Sequence, residues 1–154
     1  MSGYVFDTKH DRYPVAAHVF LVERGRILLL RRAGRGYADG QLGLPAAHVE
    51  RGQTLTVSVV REVAEELGID LAPADLRPGG TMFRWAGEPR VDIFFVAESW
   101  QGTPEIREPR KCSELVWADP DALPGDTLDF VATAWADARE GRMLREYGFA
   151  SVPM

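Results

Sequence analysis

The chain is poor in cysteine, in long apolar runs and in basic clusters, and each shortage removes a class of function. Cys112 is the single cysteine, which excludes a disulfide framework and a cysteine metal site. No apolar run reaches the roughly 20 residues that a bilayer span needs. The start, Met1-Ser2-Gly3-Tyr4-Val5-Phe6-Asp7, has neither the basic onset nor the apolar centre of a signal peptide. A cytoplasmic location with no membrane partner is therefore expected. The net charge is -5 and no Lys/Arg-rich run is present. That balance argues against a stable nucleic-acid complex, while leaving room for a local basic patch that grips phosphates. Internal repeats and low-complexity tracts are absent as well. What remains is 154 residues that are 45% hydrophobic. This is enough for one sizeable core and too little for two typical domains, so a single domain over 1–154 is expected.

The apolar pattern reads as several strands and two helices. Val15 to Val22 and Ile27 to Leu30 are apolar runs separated by Glu23-Arg24-Gly25-Arg26, the composition of a hairpin. From Ala33 to Gly43 glycine and polar residues predominate, a loop in which Gly34, Gly36 and Gly40 miss the dinucleotide-binding spacing. Met82 to Trp85 and Val91 to Ala97 flank a turn at Gly87-Glu88-Pro89. Leu115 to Trp117 reads as a further strand and Phe130 to Arg139 as a closing helix. Local signals conflict at Leu55, Val57 and Val59, which alternate with Thr54, Thr56 and Ser58 as in a strand. Beyond them Val60, Val63, Ala64 and Leu67 recur at helical spacing, with Gly68 placed to end a helix and Gln53 or Thr54 to start one. The spacing predicts a helix from Leu55 to Leu67, its apolar stripe on a sheet and its acids toward a cleft.

That helix carries the densest chemistry in the chain. Glu62, Glu65 and Glu66 fall within five residues, and at helical spacing they share one side. Like charges so close call for a compensating cation, and clustered carboxylate oxygens suit Mg²⁺ or Mn²⁺ rather than Zn²⁺. Charge spacing alone favours the plainer alternative, a solvated acidic helix face.

The longer string shifts that balance. Leu44-Pro45-Ala46-Ala47-His48-Val49-Glu50-Arg51-Gly52-Gln53 is followed by seven residues and then by Arg61-Glu62-Val63-Ala64-Glu65-Glu66-Leu67-Gly68-Ile69. The arrangement resembles the signature of the Nudix hydrolase family: glycine, five residues, glutamate, seven residues, then Arg-Glu-apolar-X-Glu-Glu-X-Gly-apolar. The second half is present in full. The first half departs at Ala47, where the pattern has glycine, and at Gln53, where it has glutamate. The run from Glu98 to Trp117 resembles a loop of the triphosphate-hydrolysing members, in which Glu108 matches a further metal-binding glutamate. With Asp129-Phe130 before the final helix, the resemblance extends from about Val15 to Tyr147.

The resemblance implies an α/β fold, an α/β/α sandwich with a mixed central sheet. It also implies Mg²⁺-dependent hydrolysis, with Mn²⁺ as a substitute, of nucleoside triphosphates to monophosphate and pyrophosphate. Two alternatives accompany it. One is cleavage of another nucleoside diphosphate-linked substrate, a nucleotide sugar or dinucleoside polyphosphate. The other is a nucleotide-binding domain with weakened catalysis, suggested by Ala46-Ala47 and Gln53. The proline that many ADP-ribose-cleaving members carry has no counterpart where Arg84 stands.

Among the implied roles, Glu65 and Glu66 are metal ligands, Glu62 is a ligand or the general base, the Ala47 carbonyl completes the shell and Glu108 is a fourth acid. Arg61 braces the acids, and Gln53 holds it by a weaker bond than the family's glutamate would. Ala47 fits only at negative φ, because a Cβ makes the left-handed region costly. Clustered acids bind protons readily, so activity is expected to rise toward neutral and alkaline pH. The implied partner is a small-molecule nucleotide. The oligomeric state, a homodimer included, stays open.

Other residues are candidates for substrate contact. Arg31, Arg32 and Arg35 flank the glycine-rich loop and are suited to phosphates, with surface solvation the other reading. Tyr37 sits where some triphosphate-cleaving relatives place a base-contacting aromatic. Phe83 and Trp85 are placed on a strand at the same cleft, with core packing the alternative. His10, His18 and His48 show no triad or zinc pattern; His18 is read as a strand residue and His48 as a loop residue beside the motif.

Overall fold

A computed structural model describes residues 12–150 and residue 152, so His10 and the first seven residues lie outside what is described. The elements are β1 (Val15–Glu23), β2 (Arg26–Arg32), β3 (Leu42–Gly43), β4 (Ala46–His48), α1 (Leu55–Leu67), β5 (Arg77–Trp85), β6 (Pro89–Ala97), β7 (Cys112–Ala118), α2 (Phe130–Glu140) and β8 (Leu144–Tyr147). The sheet runs β3-β2-β1-β6-β5-β8, with β4 added to β1 and β7 to β2. It is mixed. The β1–β6 pair, from Val15↔Val91 to Leu21↔Ala97, and the β5–β8 pair are parallel, while β1–β2, β2–β7 and β5–β6 are antiparallel.

Strand alternation sends successive side chains to opposite faces, and both faces of the central strands are covered. Ala17, Val19 and Leu21 of β1 join Leu28 and Leu30 of β2 beneath Val59, Val63 and Leu67 of α1. On the other face Phe20, Ile27, Leu29 and Phe94 pack against Phe130, Val131 and Ala134 of α2. The result is the expected α/β/α sandwich. Burial on both sides also explains why β1 and β2 read as continuous apolar runs.

The conflict at Leu55 to Val59 resolves as helix. Thr54 caps α1 by accepting the Val57 N–H at 3.1 Å. Val59, Val63 and Leu67, at i, i+4 and i+8, are buried. Burying each such side chain is worth about 1.5–3 kcal/mol, against roughly 0.5 kcal/mol of helix propensity lost at a β-branched residue. The helix stops at Gly68, which has φ 68° and returns its N–H to the Ala64 carbonyl at 3.1 Å. A Cβ there would lie 2.7 Å from Arg107 Nε.

Several boundaries differ from the sequence reading: β5 begins at Arg77 rather than Met82, β6 at Pro89 rather than Val91, β7 extends over Cys112–Ala118, and β8 has no counterpart in that reading. The glycine-rich loop gives way to β3 at Leu42, which pairs with Arg31. His48 is the last residue of β4, paired with Ala16, rather than a loop residue. Strands of two and three residues beside Pro45 are too short to show alternation. Among the described residues no helix is long and apolar enough to cross a membrane.

Candidate active site

The end of α1 needs partners for its last carbonyls, and the chain that follows β6 supplies them. Arg107 N–H donates to the Glu66 carbonyl at 2.9 Å and Glu105 N–H to the Leu67 carbonyl at 3.0 Å, while Asp70 and Gln101 exchange backbone bonds of 2.9 and 3.0 Å. These bonds strap the 101–107 segment against the helix end. The Glu108 carbonyl then accepts from Lys111 and Cys112 at 2.9 and 3.1 Å where β7 begins. Glu108 is thereby fixed beside the helix acids. Carboxylate oxygens of Glu62, Glu66 and Glu108 all lie within 4.8 Å of one another.

Each acid of this cluster has a distinct environment. Glu66 is buried and meets the Arg35 guanidinium, which reaches in from the glycine-rich loop. Burial first, and then the adjacent Glu66 charge, push the Glu62 carboxyl up to about 7. Glu108 has Lys111 Nζ at 3.4 Å from Oε2, but its Oε1 is buried with no hydrogen-bond partner. A buried acceptor left unpaired is costly. Three converging oxygen donors with one orphaned atom are what a hard divalent cation satisfies.

Other members of the motif stand around the cluster rather than in it. The Glu65 side chain is 56% exposed, with Oε1 3.9 Å from Arg61 Nε. One helix step from Glu66 turns it about 100° away, toward solvent. Arg61 Nη1 lies 3.3 Å from Glu50 Oε2. Gln53 does not reach Arg61: its Oε1 accepts from Ser58 Oγ at 3.1 Å, so the bond expected between them is absent and Glu50 engages Arg61 instead. Ala47 is buried in β4 opposite Ala17. Among the described non-glycine residues only Arg24 and Ala38 have positive φ, so the condition on Ala47 is met.

Beside the cluster opens a cleft whose walls include Arg32, Arg35, Tyr37, Ala47, His48, Arg84, Arg90 and Phe130. Arg32 and Arg35 also line the smaller recess that reaches Glu66 and Lys111. Burial and then the Arg35 charge lower the pKa of Arg32, and burial followed by the Arg90 charge lower that of His48, as a cationic wall requires. Tyr37 is half exposed, with Arg32 Cζ 5.6 Å from its ring centre and its carbonyl accepting from Arg32 Nε at 3.1 Å. Arg31 faces elsewhere. It is engaged by Glu114 at 2.9 Å and Asp126 at 2.5 Å.

The cleft floor is a charged network absent from the sequence reading. Asp92, fully buried, accepts from Arg84 Nε at 2.7 Å, His18 Nε2 at 2.9 Å and Arg90 Nε at 3.2 Å. Burial by itself would raise its pKa, but the His18 hydrogen bond and the charge and hydrogen bond of Arg84 help to outweigh burial and hold the carboxyl far below its ordinary value. For His18 burial wins over the Asp92 bond and lowers the pKa. A neutral ring that donates Nε2–H to Asp92 keeps Nδ1 as an acceptor, and Nδ1 is buried without a partner. Arg84 lies over the Phe130 ring at 4.0 Å and donates to the Tyr37 hydroxyl at 3.4 Å. The available signal was Arg84 and Asp92, opposite charges inside two apolar strands.

The same alternation corrects the placement of Phe83 and Trp85. With Arg84 turned into the cleft, its neighbours face away from it, and both pack on Phe149, Phe83 at 5.2 Å and Trp85 at 6.0 Å between ring centres.

An α/β/α sandwich that gathers three carboxylates beside an arginine-lined cleft has the layout of a hydrolase for anionic substrates. The family model of the NUDIX domain matches residues 12–140, and the chain belongs to the Nudix hydrolase family. It is 36% identical to the NAD-capped RNA hydrolase NudC of Chromobacterium violaceum over 109 residues, which are 71% of this chain and 39% of that protein. The chain thus spans about two fifths of the length of the NAD-capped RNA hydrolases it matches. It is 28% identical to the 8-oxo-dGTP diphosphatase of Escherichia coli over 113 residues, 71% of this chain and 86% of that protein. Among solved structures, the MutT NUDIX hydrolase from Burkholderia pseudomallei superposes with a TM-score of 0.75 at 28% identity, covering 82% of this chain and 98% of that one.

Proposed function

We propose that this Nudix hydrolase cleaves nucleoside triphosphates, modified ones included, to monophosphate and pyrophosphate, with Mg²⁺ or Mn²⁺ held by Glu62, Glu66 and Glu108. The observation that carries this reading is the convergence of those three carboxylates within 4.8 Å beside the arginine-lined cleft. A bound divalent ion supplies charge neutralisation at phosphate oxygens and a lowered pKa for the attacking water. The chain's own residues supply position and proton transfer. Arg32 and Arg35 face phosphates between cluster and cleft, and the half-exposed Tyr37 ring offers a surface for the base. Glu62 serves as a ligand of that ion or as the general base that accepts the water proton. Exposed Glu65 and the carbonyl of buried Ala47 are further ligand candidates. Arg61, tied to Glu50, steadies the outer acids.

The likeness to the 8-oxo-dGTP diphosphatase, over most of that protein's length, supports a triphosphate substrate. The 36% identity to an NAD-capped RNA hydrolase favours a second reading, a nucleoside diphosphate joined to another group. A panel of ordinary and oxidised nucleoside triphosphates, nucleotide sugars and dinucleotides incubated with Mg²⁺ separates them. Monophosphate and pyrophosphate released from triphosphates, and abolished by chelation, are expected. Orthophosphate plus diphosphate, or full activity in excess chelator, contradicts the proposal. Faster cleavage of dinucleotides transfers it to the second reading.

A further inference from the structure

Arg35 stands between the two halves of the site. Its guanidinium contacts Glu66, the most buried acid of the cluster, while the same side chain lines both the cleft and the recess that reaches Glu66. Its Nε is buried and has no hydrogen-bond partner. That leaves donor capacity in a group whose fork can take two acceptors at once.

The backbone on either side of Arg35 has local anchors. Asp39 accepts from the Arg35 and Gly36 N–H groups at 2.9 and 3.0 Å. Gly34, at φ 62°, sits so close to the Arg110 carbonyl that a Cβ would come within 2.5 Å of its oxygen. From this backbone the long Arg35 side chain borders both the recess that reaches Glu66 and the adjoining cleft.

Charge decides which way it turns. Arg35 is the cation that meets buried Glu66, and Lys111 is the one beside Glu108. A divalent ion among the same carboxylates brings two positive charges against the guanidinium, where burial leaves little water to screen them. A nucleotide's phosphates bring the opposite charge into the cleft that Arg35 already lines.

We propose that Arg35 is a counter-ion of Glu66 that competes with a divalent cation for that carboxylate and, when turned into the cleft, binds substrate phosphate, so that metal loading and substrate positioning are coupled through one side chain. The proposal rests on the metal-site reading given above. Arg35 is on this account a positioning residue, and its removal has opposite effects on the two ligands.

The test compares the parent with Arg35→Met and Arg35→Lys. Mn²⁺ alone, without nucleotide, is titrated by electron paramagnetic resonance. KM and kcat are then measured at saturating Mg²⁺ with the best triphosphate from the substrate panel. Arg35→Met is expected to bind Mn²⁺ at least about threefold tighter, because a competing cation is gone, and to raise KM about tenfold or more with a smaller change in kcat, because a charge-assisted phosphate contact is lost. Arg35→Lys should fall between parent and Arg35→Met on both readings. Unchanged or weaker Mn²⁺ binding in Arg35→Met overturns the counter-ion role, and an unchanged KM overturns the phosphate role.

Because Arg35→Met leaves Glu66 unpaired and so puts folding at risk, the parent supplies an independent reading: the Arg35 Nε–H resonance in nitrogen-15-labelled protein should shift on Mg²⁺ addition and again with nucleotide. A resonance indifferent to Mg²⁺ overturns the proposal. Failure of the underlying reading looks different: a parent that binds no Mn²⁺ removes the metal site itself. Tighter Mn²⁺ binding by Arg35→Met without any nucleotide cleavage retains the counter-ion role and removes the substrate assignment.

Discussion

Replacing Glu62 by glutamine removes a carboxyl whose proton affinity the fold raises, so parent and variant should diverge in stability as pH rises, with no substrate needed to see it. In the metal-free protein burial, followed by the Glu66 charge, carries the Glu62 carboxyl from 4.5 to about 7. The folded state therefore holds that proton more tightly than the unfolded chain. The resulting stabilisation is complete below pH 4.5 and is lost as pH rises through about 7. Taken at full value the displacement is worth about 3 kcal/mol. Glu62 is only half-buried, and solvent screening reduces this to the order of 1–2 kcal/mol. The Glu62→Gln side chain stays neutral throughout and resembles the protonated acid. Relative to the parent, the variant should gain that amount between pH 5 and pH 8, roughly 2–8 °C in melting temperature for a chain of this size. Thermal melts of both proteins in EDTA at four pH values report the difference, in which titrations common to both cancel. A difference that stays flat across this range would refute the reasoning, since it would mean that Glu62 ionises freely beside Glu66.

Other expectations follow from the cleft and the motif. Asp92→Asn should lower stability by about 3–5 kcal/mol in denaturant titration, because it strands the buried guanidinium of Arg84; Asp92→Leu combined with Arg84→Met should lose less than Asp92→Asn alone. Ala47→Gly should cost roughly 0.4–1 kcal/mol through unfolded-state entropy, with metal affinity unchanged, because Ala47 sits in a strand at negative φ. Gln53→Glu should leave turnover within about twofold of the parent, since Gln53 bonds Ser58 and Arg61 is held by Glu50, and a charge-assisted contact gives no gain where the partner is already engaged. A large gain would show that position 53 reaches Arg61 in solution.

Much of this architecture was legible in the residues. The hairpin, the β5 and β6 strands, α1 from Leu55 to Leu67 and the closing helix all announce themselves through apolar period and turn residues, because burial sets both. Among the acids, Glu62, Glu66 and Glu108 come together, and Glu108 lies 42 positions beyond Glu66 in the chain, a closeness made by backbone bonds to the end of α1 that spacing does not reveal. The β3, β4 and β8 strands are not legible because two to four residues carry too little period. Asp92, Arg84 and His18 escaped for a different reason. A buried charge is stable only with partners from other strands, and those partners appear once the register Met82↔Asp92 and Ala16↔Asp92 is known. Phe83 and Trp85 were placed at the cleft although Arg84 between them has the side chain that period 2 turns into it.

Metal binding and hydrolysis measured side by side in Glu62→Gln, Glu66→Gln and Glu108→Gln test the central claim most directly. Mn²⁺ affinity in each variant should fall at least about tenfold, equivalent to about 1.4 kcal/mol. Turnover of the best triphosphate should fall by about a hundredfold or more in Glu66→Gln, since a lost ligand weakens charge stabilisation of the transition state by several kcal/mol. Equal Mn²⁺ binding by all three variants, or turnover at the parental rate in Glu66→Gln across a full Mg²⁺ titration, would contradict the account and leave the cluster as an acidic surface beside a cleft.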